Sequence, residues 1–176
     1  MNLDGILLRA RTGLSLLAGL VGLSTVALGV PGHSAGQPAQ PAAVSPTASA
    51  TQWSGVVDRL GEQRSRAWRR GDPALLDRVF VPGTAPWRDE RRLMRAYTGR
   101  GLWVLGLSLV VDDVYVTASG ARWVRLCMVD RVHPAVAVGR DGRRHRLPHD
   151  SATRHVVTLE RSAFGWRISA VQLVRS

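Results

Sequence analysis

The chain has 176 residues, among them 24 arginines, no lysine and 13 acids, for a formal net charge of +11. Its single cysteine, Cys127, excludes an intrachain disulfide, so the folded part must hold by packing alone. The charge does not by itself point to nucleic acid. The absence of Lys and the lone Asn2 mark a GC-rich genome, and Arg recurs on every predicted element rather than in one stripe.

The N-terminus carries the clearest message. Arg9 and Arg11 precede an uncharged run of 19 residues, Thr12–Val30, rich in Leu, Val, Gly and Ala. A membrane-spanning helix needs about 20 apolar residues and a signal-peptide core about 7–15, so residues 1–30 read as either a signal peptide or a transmembrane anchor. Gly13, Gly19, Gly22 and Gly29 weaken the span. Ala27-Leu28-Gly29 places small residues at the two positions a signal peptidase reads, while Pro31 close downstream opposes cleavage. In both cases the basic flank stays in the cytoplasm and the C-terminal part is exported, which argues against a nucleic-acid role. Residues 31–52, rich in Pro, Ala, Ser, Thr and Gln, read as a disordered linker. Residues 53–176 then suffice for one domain with its own core.

That domain opens with helical periodicity. Trp53, Val56, Val57, Leu60, Ala67 and Trp68 share one face of a helix over 53–70. Arg64, Arg66, Arg69 and Arg70 crowd its end, where they complement the helix dipole. Gly71 stops it, Asp72 caps the next element and Pro73 takes the first helical position, so Arg70-Gly71-Asp72 is explained by capping rather than as an adhesion tripeptide. A short second helix ends before Pro82-Gly83, and a third runs from Pro86 to Thr98.

Strands follow. Over 102–111, Trp103, Leu105, Leu107, Leu109 and Val111 alternate onto one face. After Asp112-Asp113 the phase moves to Val114, Val116 and Ala118, which predicts a bulge in a long strand. Ser119-Gly120 turns into a strand over 122–132, whose apolar face is Val124, Leu126, Met128 and Val132, with Asp130 on that same face. A hairpin over 135–147 turns at Asp141-Gly142, a two-residue turn signal. The last hairpin pairs 154–160 with 166–174 around Ala163-Phe164-Gly165 and carries a second phase slip where Ile168 and Ala170 give way to Val171 and Leu173. Of the tryptophans, Trp53, Trp68, Trp103, Trp123 and Trp166 are expected in the core and Trp87 outside it.

Helices followed by antiparallel strands make an α+β domain. The Trp53–Arg70 helix, the Gly71-Asp72-Pro73 break with Leu75-Leu76-Asp77 after it, and the closing Phe164-Gly165-Trp166-Arg167-Ile168 resemble the nuclear transport factor 2-like, or SnoaL-like, superfamily. The chain looks like an exported member of actinobacterial type. The resemblance covers nearly all of 53–174. It implies N-terminal helices packed in a strongly curved, cone-shaped antiparallel sheet. It also implies either a binding module or an isomerase- or dehydratase-type enzyme with polar groups inside the cone.

No position matches a catalytic motif of that superfamily. The weak catalytic candidates are Asp130, Tyr97 and His133, with Arg125 and Asp112 behind them. A carboxylate among Leu126, Met128 and Val132 would be desolvated and suited to general acid–base work, whereas an Asp130 at the strand end paired with Arg131 or another Arg would be structural. His145, His149 and Asp150 offer metal-type ligands, but Pro148 breaks their alignment and no third spacing appears, so no metal and no cofactor is expected. Neither a glycine-flanked serine elbow nor a phosphate-binding glycine loop is present.

The resulting expectation is a non-catalytic, exported or membrane-tethered module of the cell envelope. It would bind a protein partner or a small apolar ligand, with self-association left open. The alternatives are an enzyme using Asp130 in the cone, and contact with anionic lipid or wall polymer through Arg140, Arg143, Arg144 and Arg146.

Overall fold

The computed structural model describes residues 46–148 and 151–174. The apolar segment 12–30, most of the expected linker, and His149 and Asp150 lie outside the described residues. No helix among the described residues is long and apolar enough to cross a membrane.

Helix α1 spans Pro46–Arg70 and so begins seven residues before the expected Trp53. Pro at the first helical position loses nothing by its missing N–H, and Ala is the strongest helix former, so 46–52 extends the helix despite a linker-like composition. The buried face of α1 is Val56, Val57, Leu60, Arg64, Ala67 and Trp68. Gly71 ends the helix at φ +62, the left-handed conformation a C-terminal stop needs. The Asp72 side chain then accepts from the Ala74 N–H at 2.9 Å, as its capping role predicts. The element it caps is a 3-10 helix, Pro73–Arg78. Helix α2 covers Ala85–Thr98 and buries Glu90, Met94 and Tyr97.

Seven strands among the described residues form two antiparallel sheets, confirming the α+β class. Strands β1 (Leu102–Leu105), β4 (Val136–Gly139) and β5 (Arg144–Arg146) make the smaller sheet, in the order β1-β4-β5. Strands β2 (Leu109–Ser119), β3 (Trp123–Val132), β6 (Thr153–Ser162) and β7 (Gly165–Leu173) make the larger, in the order β2-β3-β6-β7. The single strand expected over 102–111 is therefore two strands in different sheets. Gly106, at φ +76, interrupts the alternation, so Val104 and Leu107 are buried while Trp103 and Leu105 are half-buried.

The phase slips are real bends. The β2–β3 register shifts between Val111 and Asp113, as the sequence predicts, and again between Val116 and Ala118, which it does not. The β6–β7 register shifts at Thr158/Leu159, opposite the Ile168–Ala170 slip. Each bulge adds bend and twist, which lets the larger sheet curl over α1. Phe80 bridges to Ile168, with the Ile168 N–H donating to the Val79 carbonyl at 2.8 Å, so the chain after the 3-10 helix closes against β7. At the β4–β5 hairpin, four residues (140–143) form the loop rather than two. The Asp141 side chain accepts from the Arg143 N–H at 3.1 Å and Gly142 takes φ +78, so a side-chain turn replaces the tighter one.

The tryptophans divide differently from expectation. Trp68 is fully buried, and Trp53 and Trp166 meet edge to face at 5.1 Å between ring centroids. Trp123 is 39% exposed. Its odd-numbered place in a strand whose even-numbered residues face the core puts it on the outer side. Trp87 is half-buried and donates its indole N–H to Asp77 at 2.7 Å.

Candidate functional site

Among the described residues, the interior between α1 and the larger sheet is filled by side chains. A void of about 20 Å³ remains, lined by Val57, Leu60, Gly61, Val79, Met128 and Leu159 among others. A water needs about 10–15 Å³ measured this way, so the void has room for about one water and not for a substrate.

Two polar clusters are buried around this core. Asp130 occupies the apolar face of β3, where alternation places it, and is 2% exposed. Its partner is His155 of β6, not Arg131 or another arginine. Register pairs Met128 with His155 and Asp130 with Thr153, so Asp130 and His155 are diagonal neighbours on one sheet face. His155 Nδ1 and Asp130 Oδ1 are hydrogen-bonded at 2.6 Å. His155 is 1% exposed, and its Nε2 is buried without a hydrogen-bond partner. A carboxylate that orients an imidazole is a frequent catalytic arrangement, but catalysis needs the far nitrogen to reach a nucleophile or substrate. Here neither residue lines the void.

The second cluster joins α1 to α2. Arg64 Nε and Trp68 Nε1 each donate to Glu90 Oε1 at 2.5 Å. Arg64 is therefore a buried ion-pair partner, not one of the exposed cations at the helix end. Its spacing of four from Trp68 puts both on one helix face, but nothing in the chain signals that Glu90 would meet them.

The remaining candidates scatter. Tyr97 is 4% exposed, packs edge-on against Trp68 at 5.6 Å, and its hydroxyl has no hydrogen-bond partner. Burial pushes its pKa above the ordinary value, with the Arg100 charge pulling it back in part. His133 is exposed at the end of β3. No hydrogen bond joins either residue to the Asp130–His155 pair. Asp112 pairs with Arg131 at 2.5 Å, and Arg125 lies on the outer face of β3. Arg140, Arg143, Arg144 and Arg146 are all exposed, with Arg143 held by Asp141 at 3.4 Å. No group of three metal-ligating side chains occurs among the described residues.

Among the described residues, hollows also lie on the outside. One, of about 470 Å³, separates the Asp58–Arg69 face of α1 from Leu107–Leu109. A second, of about 510 Å³, is framed by Arg122, Trp123, Arg125, Thr158, Glu160 and Arg161 at one end of the larger sheet. Reading Trp123 as core hid the second from the sequence, although the phase of β3 already placed that residue outside.

No family model and no curated protein sequence matches the chain. Solved structures do. The intermembrane-space region of the chloroplast protein ARC6 aligns at a TM-score of 0.49 and 18% identity, over 72% of this chain and 97% of that one. A nuclear transport factor 2-like superfamily protein of Salmonella enterica aligns at 0.44 and 16%, over 70% and 91%. The protein Aln2 of a Streptomyces species aligns at 0.45 and 15%, over 70% and 90%. At such identity the likeness concerns shape and carries no role across. Helices held against an antiparallel sheet bent at three bulges are the α+β architecture that the resemblance read from the sequence implies.

Proposed function

We propose that this protein is a non-catalytic binding module of the cell envelope, exported through its N-terminal segment and either tethered by it or released. The observation that supports this reading is the filled interior. Among the described residues, the chamber between α1 and the larger sheet holds about 20 Å³, and the buried Asp130–His155 pair does not line it. Binding therefore falls to the outer surface, and a partner suits this shape better than an apolar ligand inside the cone.

Two measurements test the reading. A reporter enzyme active only outside the cytoplasm, fused after Ser176, should be active; an inactive but stably produced fusion refutes export. A deletion strain should be rescued by Asp130→Asn and by His155→Gln as well as by the wild-type gene. Loss of rescue by variants that keep the wild-type melting temperature would establish the enzyme reading instead.

A further inference from the structure

The β2–β3 and β6–β7 turns lie side by side at one end of the larger sheet, where the Arg161 N–H donates to the Arg122 carbonyl at 2.8 Å. Two aromatic side chains stand out into solvent there. Phe164 is 85% exposed at the tip of a turn stiffened by Ser162, whose hydroxyl donates to the Gly165 carbonyl and accepts from the Phe164 N–H. Trp123 lies over Gly120, where a Cβ would collide with Nε1, so the missing side chain seats the indole. An exposed Phe at a fixed tip gains nothing from water, and Trp is enriched where one end of a ring is apolar and the other wet.

Cations surround these rings. Arg122, Arg125 and Arg161 border the hollow beside Trp123, against one acid, Glu160. The Arg125 guanidinium lies 6.0 Å from the Trp123 ring centre and that of Arg161 6.0 Å from the Trp166 ring centre. No carboxylate pairs with any of the three among the described residues.

The first half of α1 also lies near this end. Trp166, the second residue of β7, packs on Trp53 in the first half of α1. Fifteen residues separate Val30 from Pro46, a reach of at most about 50 Å.

We infer that this end of the sheet docks on an anionic lipid surface. Phe164 and Trp123 enter the interface, and Arg122, Arg125 and Arg161 meet the headgroup phosphates. The inference rests on the envelope reading above, since it requires the domain to face a membrane. It moves the lipid contact away from the Arg140–Arg146 hairpin, where none of the exposed large apolar side chains among the described residues lies. A wall polymer would use the arginines but leaves the Phe164 ring without a role.

The test uses the full chain in vesicles, with an environment-sensitive fluorophore on Ala163→Cys in a Cys127→Ala background. In vesicles containing phosphatidylglycerol the emission should shift to the blue and be quenched by spin-labelled lipid; in phosphatidylcholine alone it should not. The shift should be lost in Phe164→Ser and in the triple Arg122→Glu, Arg125→Glu, Arg161→Glu variant. It should also fall at high salt, as the screening length drops from about 10 Å at 0.1 M to about 3 Å at 1 M. A label that stays water-like in both vesicle types, while the chain floats with them, overturns the inference and leaves the envelope reading standing. So does a shift at Arg143→Cys in place of Ala163→Cys. Shielding by soluble polyphosphate but not by vesicles reassigns the patch to an anionic polymer and likewise overturns it. A chain that is never exported defeats the underlying reading instead.

Discussion

His155 Nδ1 lies 2.6 Å from Asp130 Oδ1, with both side chains sealed inside the larger sheet. The pair holds β3 to β6 where the sheet face is otherwise apolar. Asp130→Ala leaves the imidazole without its partner and should destabilise the fold by about 3 kcal/mol. The double variant Asp130→Leu, His155→Leu should lie within about 1 kcal/mol of wild type, because two apolar groups leave nothing unpaired. A urea-unfolding double-mutant cycle that showed no coupling would refute this account.

Glu90 compensates the buried Arg64 charge and the Trp68 indole at once. Glu90→Ala should cost about 3–5 kcal/mol in the same measurement, since it strands a guanidinium away from water.

Tyr97 presents the opposite case. Its buried hydroxyl has no partner, so Tyr97→Phe should raise stability by about 1 kcal/mol. Its raised pKa adds a pH signature. The folded state holds the phenol proton more tightly than the unfolded chain does. Its contribution is therefore complete below pH 10, the ordinary value, and is lost as pH climbs through the raised one. Alkaline unfolding of wild type should thus be steeper than that of Tyr97→Phe.

Gly61 sits within α1 beside the interior void, and an added Cβ would rest 3.6 Å from Leu109 Cβ, an ordinary contact. Gly61→Ala should stabilise by about 1 kcal/mol, from helix propensity and from partial filling of the void. A lower melting temperature would show that the void cannot accept a methyl group.

The two tryptophans of unlike position offer a simple contrast. Trp68→Ala removes a fully buried ring and should cost about 3–5 kcal/mol. Trp123→Ala should cost less than about 1 kcal/mol, because the ring is 39% exposed. Equal losses would mean that Trp123 carries core packing.

By itself the sequence determined the periodic parts. The α1 face from Val56 to Trp68, the Gly71-Asp72-Pro73 break, the bulge near Asp112 and the slip near Ala170 depend on local spacing and backbone freedom, which neighbours in the chain already encode. The same alternation placed Asp130 on the apolar face. Only the tertiary structure decided what Asp130 meets there. His155 lies 25 residues away, on a strand whose register is set by packing, and no local pattern carries that distance. Glu90 reached Arg64 for the same reason, across 26 residues. Gly106 is instructive because it looked like an ordinary strand residue. Its positive φ split one predicted strand between two sheets and reversed which of Trp103 and Val104 turned inward. Above all, whether the cone was open or filled depended on how side chains from α1, β3, β6 and β7 met, and volume in a core is settled by packing rather than by sequence order.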